Sequence, residues 1–338
     1  MIRQSINGYG PQSDDLSSAV RKLALLARDE DLGSGDLTSR LLEHEREARF
    51  EMLLKQPGVL AGQAIAPEIL RVYDESIRIE WADGAVDGAT WHWEKGSDPV
   101  GDAAGSTGLG GTESGRSLRG LTPFPAVRLA TIVGPNHTIL AAERVLLNFL
   151  QRLCGVATLT RAYVDAVAGT GAKIYDTRKT TPGWRLLEKY AVRCGGGHNH
   201  RMGLYDAVLI KDNHLAGIEP NRLAYHVFQM LSQAAAFDPP PKFVEVEADT
   251  LEQVEQLFKV LGINAILLDN FSLEDLREAV ALRDALGLNG RMELEASGGI
   301  NLHTVRAVAE TGVDRISVGA ITHSATAIDL SLQRGQEP

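Results

Sequence analysis

The feature that most constrains the fold is an alternation of short apolar runs with helical patterns in the second half of the chain. The apolar runs are 172–176, 206–210, 243–247, 265–269, 292–297 and 315–319. The helical patterns between them are 183–193, 219–236, 250–261, 272–286 and 302–311. Such alternation is typical of a parallel sheet whose strands are joined by right-handed helical crossovers. Six units predict an incomplete α/β barrel of the TIM type, and a doubly wound open sheet is the alternative.

The first part of the chain has a different pattern. Residues 15–28 have helical spacing, whereas 77–81 and 127–134 resemble strands. The segment 48–62 is typical of a strand, a turn at Pro57-Gly58 and a short returning segment. A stretch rich in Gly and Ser, 96–120, has no apolar periodicity and indicates a surface insertion. We therefore predict a small α+β domain over residues 1–138 that carries this insertion, and a barrel over residues 139–338.

Composition narrows the class of protein. The 338 residues are 44% hydrophobic and carry a formal net charge of −10, which is unlike a general nucleic-acid binder. The two cysteines, Cys154 and Cys194, cannot form a disulfide framework. The sequence shows neither a signal peptide nor an apolar run long enough to span a membrane. We expect a cytoplasmic protein that binds neither nucleic acid nor membrane.

Charged and small residues follow the predicted strands. In chain order these residues are Asp176, Arg178 and Lys179, then Lys211, Glu247, Asp269, Ser297 with Gly298, and Gly319. In a parallel barrel the carboxyl ends of all strands lie on one face, where active sites are built. The sequence therefore predicts a polar site at that face, although polar residues also mark ordinary loop starts.

Cations are concentrated in the segment 176–214 of this acidic chain. Arg178, Lys179, His200, Arg201 and Lys211 are expected to converge on a substrate with several negative charges. At an effective dielectric of about 20, one charge pair at 4 Å is worth roughly 4 kcal/mol, so several cations would hold two anionic reactants together.

The remaining strand ends predict phosphate and ribose or metal contacts. Glycine turns at Ser297-Gly298 and at Gly319 are suited to phosphate binding through backbone N–H groups. Glu247 and Asp269 would bind ribose hydroxyls or Mg²⁺, or would pair with the local lysines. Glu245 lies one layer deeper on the same face of its strand and is interpreted as a paired charge inside the barrel.

Several long motifs resemble the quinolinate phosphoribosyltransferases, which are also called carboxylating nicotinate-nucleotide pyrophosphorylases. The motifs are EDLGSGDLTS, ERVLLNFLQRLCGVATLT, DTRKTTPGWR, GGGHNHRMGLYDAVLIKDNH, EVEADTLEQV, LLDN, EASGGIN and ISVGAITHSA. The resemblance implies an N-terminal α/β sandwich domain followed by an incomplete α/β barrel. It also implies a homodimer that joins quinolinate to phosphoribosyl pyrophosphate (PRPP) with Mg²⁺, releasing pyrophosphate and CO₂ and forming nicotinate mononucleotide for NAD biosynthesis.

The resemblance also implies roles for single residues. Lys179, Lys211, Glu247 and Asp269 match catalytic positions, and Glu247 and Asp269 match the pair that holds Mg²⁺, partly through substrate. The positions that match substrate-binding residues are Arg144, Arg178, Lys179, His200, Arg201, Lys211, Glu247, Asp269, Ser297, Gly298, Gly319 and His323. Arg144 matches an arginine that reaches the neighbouring subunit's site. The insertion at 96–120 is longer than the family's loop.

Three other functions fit parts of the pattern. A barrel lyase or aldolase would use Lys211 as a Schiff base. A paralogous phosphoribosyltransferase would act on another heterocyclic acid with a similar site. A protein that binds polyanions without catalysis would have no use for the pair formed by Glu247 and Asp269.

Overall fold

The computed structural model describes residues 13–41, 47–92, 101–102 and 125–335. Apart from the strand at residues 101–102, the predicted insertion at 96–120 lies outside the described residues. The chain divides into two compact units. The barrel unit contains Thr160–Arg185 and Gly197–Ser324, and the N-terminal unit contains the described parts of 11–159, Leu186–Gly196 and 325–335.

The N-terminal unit begins with a helix and a set of antiparallel strands. These elements are α1 (Ser13–Leu32), β1 (Glu47–Leu54), β2 (Gly58–Val59), α2 (Ala66–Arg71), β3 (Arg78–Trp81), β4 (Thr90–Trp91), β5 (Gly101–Asp102) and β6 (Val127–Pro135). Along β1, alternate residues are buried, among them Phe50, Met52 and Leu54, as expected for a sheet with one covered face. The predicted helix at 15–28 and the strands at 77–81 and 127–134 are confirmed. The predicted strand, turn and return over 48–62 correspond to β1, the turn that follows it and β2.

Helix α3 (Asn136–Ala166) begins directly after β6, and the barrel elements follow it. The barrel strands are β7 (Lys173–Tyr175), β8 (Val208–Ile210), β9 (Val244–Ala248), β10 (Ala265–Asp269), β11 (Glu293–Ser297) and β12 (Arg315–Ser317). The helices after α3 are α4 (Arg185–Cys194), α5 (Asp212–Leu215), α6 (Pro220–Ala234), α7 (Leu251–Leu257), α8 (Leu273–Ala285), α9 (Val305–Ala309) and α10 (Ala320–His323). Apart from Arg185, the residues of α4 belong to the N-terminal unit, and the other helices belong to the barrel unit. Every predicted strand and helix of this half is present.

All pairs in the six-stranded sheet are parallel, and its order is β7-β12-β11-β10-β9-β8. Neighbours in the sheet are thus neighbours in the chain, and the last strand returns to pair with the first. This circular order is that of a barrel whose edge strands are β7 and β8, and it excludes the doubly wound alternative. His198 extends the β7 edge, since it forms a parallel bridge with Tyr175.

The two units differ from the predicted domains 1–138 and 139–338. Helix α3 runs without a break past residue 138, and its residues up to Leu159 belong to the N-terminal unit. After the barrel, strand β13 (Leu330–Arg334) pairs antiparallel with β1, and Met52 lies opposite Leu332. Sequence patterns missed this return because pairing over almost the whole chain leaves no local signal.

Side chains at the helix starts explain why the crossovers begin where they do. The Thr250 hydroxyl caps α7 by accepting the N–H of Gln253, and the Ser272 hydroxyl caps α8 by accepting the N–H of Asp275. These caps follow β9 and β10 closely, which leaves short loops at the carboxyl ends of the strands. Among the described helices, none combines the length and the apolar character needed to cross a bilayer.

Candidate active site

An acidic cluster lies at the carboxyl ends of β9 and β10. Carboxylate oxygens of Glu247, Asp249 and Asp269 lie within 4.8 Å of one another. Lys211, which follows β8, places its Nζ 2.9 Å from Oε2 of the buried Glu247. The structure thus brings together Lys211, Glu247 and Asp269, which the sequence had placed at three separate strand ends.

Asp249 is a member of this cluster that the sequence analysis missed. Burial raises its pKa, and the negative charges of Asp212 and Asp269 raise it further. The signal was present, because Asp249 stands two residues after Glu247 and the pleat turns alternate residues to the same side. Three hard oxygen donors this close together suit a divalent cation.

Asn270 connects the acidic cluster to the glycine turn after β11. Its backbone has φ 56°, and its Nδ2 donates to Oδ2 of Asp269 at 2.8 Å. Its backbone N–H donates to the carbonyl of Ser297 at 3.0 Å. Gly298 lies against the Asn270 side chain so closely that a Cβ there would stand 2.1 Å from Oδ1. The carboxylate of Asp269 and the turn at Gly298 are therefore held by one residue.

The second glycine turn lies beside Lys179. A Cβ at Gly319 would stand 3.1 Å from His323 Nε2 and 3.2 Å from Lys179 Cδ. The Thr322 hydroxyl donates to the Lys179 carbonyl at 2.7 Å, which ties the loop after β7 to α10. The structure thus places the exposed Lys179 and His323 together, next to a backbone with no side chain of its own.

The charges of Arg178 and Arg201 act on each other. Burial lowers the pKa of Arg201, and the adjacent Arg178 guanidinium lowers it further. Arg201 Nη1 donates to the Ala207 carbonyl at 3.3 Å. Within the described structure, the buried Nε of Arg178 has no hydrogen-bond partner. Two neighbouring guanidinium groups and an unsatisfied donor are the arrangement that a bound carboxylate would stabilise.

His200 is oriented differently from the other cations. Its Nε2 lies 2.7 Å from Glu245 Oε2, and its Nδ1 accepts the backbone N–H of Arg201 at 2.7 Å. Burial works against its protonation, but the carboxylates of Glu245 and Glu295 outweigh that effect and raise its pKa. Both ring nitrogens are thus engaged by the protein. The expectation that Glu245 is a paired interior charge is confirmed by this contact.

Arg144 is the one predicted site residue outside the barrel unit. It lies on α3, in the part of that helix that belongs to the N-terminal unit, and its side chain is exposed. The other predicted site residues all belong to the barrel unit.

The geometry does not favour the Schiff-base alternative. That chemistry requires an unprotonated lysine amine. Lys211 instead forms an ion pair with the carboxylate of Glu247.

Comparisons with known proteins identify the family. The family model described as quinolinate phosphoribosyl transferase, C-terminal domain, matches residues 156–333. A Bacillus subtilis protein named probable nicotinate-nucleotide pyrophosphorylase (carboxylating) is 36% identical over 305 residues, covering 90% of this chain and 89% of its own. A Nicotiana tabacum protein named quinolinate phosphoribosyltransferase (decarboxylating) 1b is 38% identical over 325 residues, covering 91% and 80%.

A solved structure shows the same fold. The nicotinate-nucleotide pyrophosphorylase from Francisella tularensis aligns with a TM-score of 0.75 at 34% sequence identity, and the alignment covers 98% of this chain and 99% of that one. The match thus extends over the N-terminal unit as well as the barrel. From its motifs, its barrel and these relatives, the chain belongs to the quinolinate phosphoribosyltransferase family.

Proposed function

We propose that the protein transfers the phosphoribosyl group of PRPP to quinolinate, with loss of one carboxylate as CO₂, to form nicotinate mononucleotide and pyrophosphate. The observation that carries the proposal is the site itself. The barrel unit holds two arginines whose charges act on each other, of which Arg201 is buried, and an acidic cluster that faces a lysine. The names of the relatives support the same reaction.

The arginine pair fits a pyridine dicarboxylate. The unsatisfied Nε of Arg178 and the guanidinium of Arg201 would each bind a carboxylate of quinolinate. Occupation would relieve the repulsion between the two cations. In this position the pyridine nitrogen would be held in place to attack the anomeric carbon of PRPP, and such positioning supplies on the order of 7–11 kcal/mol.

The lysines and the glycine turns fit PRPP. Gly298 and Gly319 let backbone N–H groups approach phosphate oxygens, and His323 and Lys179 stand next to Gly319. As the nitrogen–carbon bond forms, the bond to pyrophosphate breaks, and Lys179 and Lys211 would stabilise the negative charge that develops on the leaving group. The carboxylates of Glu247 and Asp269 would hold the ribose, whose anomeric carbon becomes cationic in the transition state.

The donor set of the acidic cluster also fits Mg²⁺. Glu247, Asp269 and the additional Asp249 offer hard oxygens within 4.8 Å. Mg²⁺ held by these residues would supply positive charge that neutralises part of the leaving group's charge.

Decarboxylation needs no further residue. Once the ring nitrogen carries the ribosyl group, the pyridinium accepts the electron pair of the breaking bond between the ring and the adjacent carboxylate. CO₂ leaves, and the ring carbon takes a proton from solvent. The protein's contribution is then to hold the ring in place through Arg178 and Arg201.

The proposal is tested by following CO₂ release and the absorbance of the pyridine ring with quinolinate, with and without PRPP. We expect CO₂ only when both substrates are present, in equal amount to pyrophosphate. A purified, folded protein that releases none would overturn the proposal. Turnover of another heterocyclic acid in preference to quinolinate would identify the paralogous phosphoribosyltransferase instead.

Replacing Arg201 with Ala should raise the KM for quinolinate at least about tenfold, because one carboxylate loses its charged hydrogen bonds. The KM of Arg201→Lys should lie between those of the wild type and Arg201→Ala, since Lys retains the charge but lacks the planar guanidinium group. The measurement is steady-state kinetics at saturating PRPP. Arg222→Ala, at an exposed position on α6, is the control. An unchanged KM in Arg201→Ala would remove Arg201 from carboxylate binding.

Replacing Asp269 with Asn should weaken Mn²⁺ binding in the presence of PRPP at least about tenfold, because one anionic donor is lost. Electron paramagnetic resonance of free Mn²⁺ measures this without turnover. Glu252→Gln, at an exposed position in the first turn of α7, is the matched control and should bind Mn²⁺ normally. Normal binding by both variants would exclude Asp269 as a metal ligand.

We also propose that two copies form a dimer in which Arg144 reaches the partner's site. The motif ERVLLN and the exposure of Arg144 on α3 support this arrangement.

A further inference from the structure

A group of charged side chains fills the interior of the barrel below the candidate site. Glu245 of β9, Glu295 of β11 and Arg315 of β12 are all fully buried. Burying charges costs free energy unless they are paired and hydrogen-bonded. Apolar side chains would fill a barrel interior at lower cost. Because these charged residues are costly to bury, we infer their role from the groups that they contact.

Arg315 compensates one of the two carboxylates. Its Nε lies 2.9 Å from Glu295 Oε2, and its guanidinium stacks 4.0 Å above the centroid of the Tyr175 ring. Glu295 is thus bound to a fixed cation. Glu245 is the carboxylate nearest His200, at 2.7 Å from Nε2, whereas the Glu295 oxygen lies 3.6 Å from it.

His200 lies between Glu245 and the backbone of Arg201 and contacts both. The nearby carboxylates raise the His200 pKa, but an Nδ1 that accepts the Arg201 N–H at 2.7 Å carries no proton. In this geometry the ring is therefore neutral, and its proton lies on Nε2 and points at Glu245. Asp176 supports the same segment from the other side. Its carboxylate accepts the backbone N–H of His200 at 2.8 Å and the Nδ2 of Asn199 at 2.7 Å. The backbone that carries the Arg201 side chain is therefore fixed by buried hydrogen bonds.

We propose that Glu245 and His200 are positioning residues for quinolinate, and that they act through Arg201. Glu245 holds the imidazole in one orientation, and the imidazole holds the Arg201 backbone so that its guanidinium stays beside Arg178. In this arrangement His200 offers neither ring nitrogen to the substrate, so its role is to position Arg201 and not to bind a carboxylate. The inference deepens the proposed function and rests on it.

The first test replaces Glu245 by two side chains of similar size. Gln retains an oxygen that accepts the Nε2–H, whereas Met offers no acceptor. We expect Glu245→Met to raise the KM for quinolinate at least about tenfold, since misplacement by 1 Å can cost about a hundredfold. Glu245→Gln should stay within about threefold of wild type, because the hydrogen bond is preserved. The KM for PRPP should change in neither variant.

Two further variants separate positioning from a general effect on the barrel. Glu293→Gln alters another acidic residue that faces Arg315, at 3.6 Å, and should leave both KM values unchanged. In an Arg201→Ala background, Glu245→Met should have little additional effect on the KM for quinolinate, because the residue through which it acts is gone. A merely structural role would instead lower the melting temperature without this coupling.

The proposal is overturned if Glu245→Met leaves the KM for quinolinate unchanged, or if its effect is equally large with and without Arg201. KM does not depend on the amount of folded enzyme, so partial unfolding does not obscure the result. If Glu245→Met does not fold, His200→Gln serves instead. It retains an amide that reaches Glu245 but removes the acceptor for the Arg201 N–H, and an unchanged KM in it overturns the proposal. Wild-type turnover in the same assay tests the proposed function separately.

Discussion

Mixing the Arg144→Ala and Lys179→Ala variants should restore activity that neither variant has alone. If Arg144 completes the partner's site, a mixed dimer contains one site with both residues and one site with neither. Random exchange makes half of the dimers mixed, so we expect about a quarter of wild-type activity. Each variant alone should lose at least about a hundredfold in kcat/KM, because the cations that bind and stabilise charge are removed. The measurement is quinolinate turnover after the subunits are mixed under exchange conditions.

The control is a mixture of Lys179→Ala with Lys211→Ala. Both residues belong to the barrel unit, and every site in any mixed dimer lacks one of them. This mixture should stay inactive. Two differently tagged copies show by sequential affinity purification that mixed dimers have formed. If such dimers form and the first mixture is inactive, Arg144 does not act across the subunit boundary.

Replacing Gly298 with Ala should reduce kcat/KM at least about a hundredfold, because a shift of 1 Å at reacting groups costs that much. Gly298 has φ +101°, a conformation that L side chains rarely adopt. The added Cβ would also meet Asn270 Oδ1 at 2.1 Å and the Asn270 backbone nitrogen at 3.0 Å. Asn270 cannot move away without disturbing its hydrogen bond to Asp269. The substitution therefore displaces the carboxylate of Asp269 together with the glycine turn that we propose binds phosphate.

The free energy of unfolding of the Gly298→Ala variant should fall as well. Strain at such a backbone position costs on the order of 1–3 kcal/mol, which corresponds to roughly 3–10 °C in melting temperature for a unit of this size. Gly299→Ala is the matched control, because Gly299 also has a positive φ of +59° but has open space around its Cβ position. It should lower stability by about 1 kcal/mol and retain most activity. Equal losses in the two variants would show that backbone strain, and not displacement of Asn270, causes the effect.

Local sequence patterns were sufficient to predict most of the strands and helices. Each predicted barrel strand and helix is present, because the apolar runs and the helical periodicity are local properties of the chain. The strand ends then placed Lys211, Glu247 and Asp269 on one face, since parallel strands have their carboxyl ends at the same edge. The ion pair of Lys211 with Glu247 and the proximity of Asp269 follow from that rule.

Local sequence patterns did not predict several other features of the molecule. The antiparallel pairing of β13 with β1 joins residues about 280 positions apart, and its strand pattern is too short to identify a partner. The sequence also gave no role to Asn270, whose contacts with Asp269 and Ser297 join two strand ends that are separate along the chain. His200 looked like one more cation, although its two nitrogens face Glu245 and the Arg201 backbone.

The sequence by itself determined the class of fold, the family and the chemical types present at the site, because periodicity, strand-end position and motif order are all read along the chain. Only the tertiary structure decided which charges face one another. Whether a carboxylate such as Glu245 contacts a histidine or a substrate depends on distances across the barrel, and those distances are set by packing between residues far apart in the chain. The sequence does not distinguish a cation that binds substrate from a cation that holds another residue in place, because the two differ in where their hydrogen bonds point.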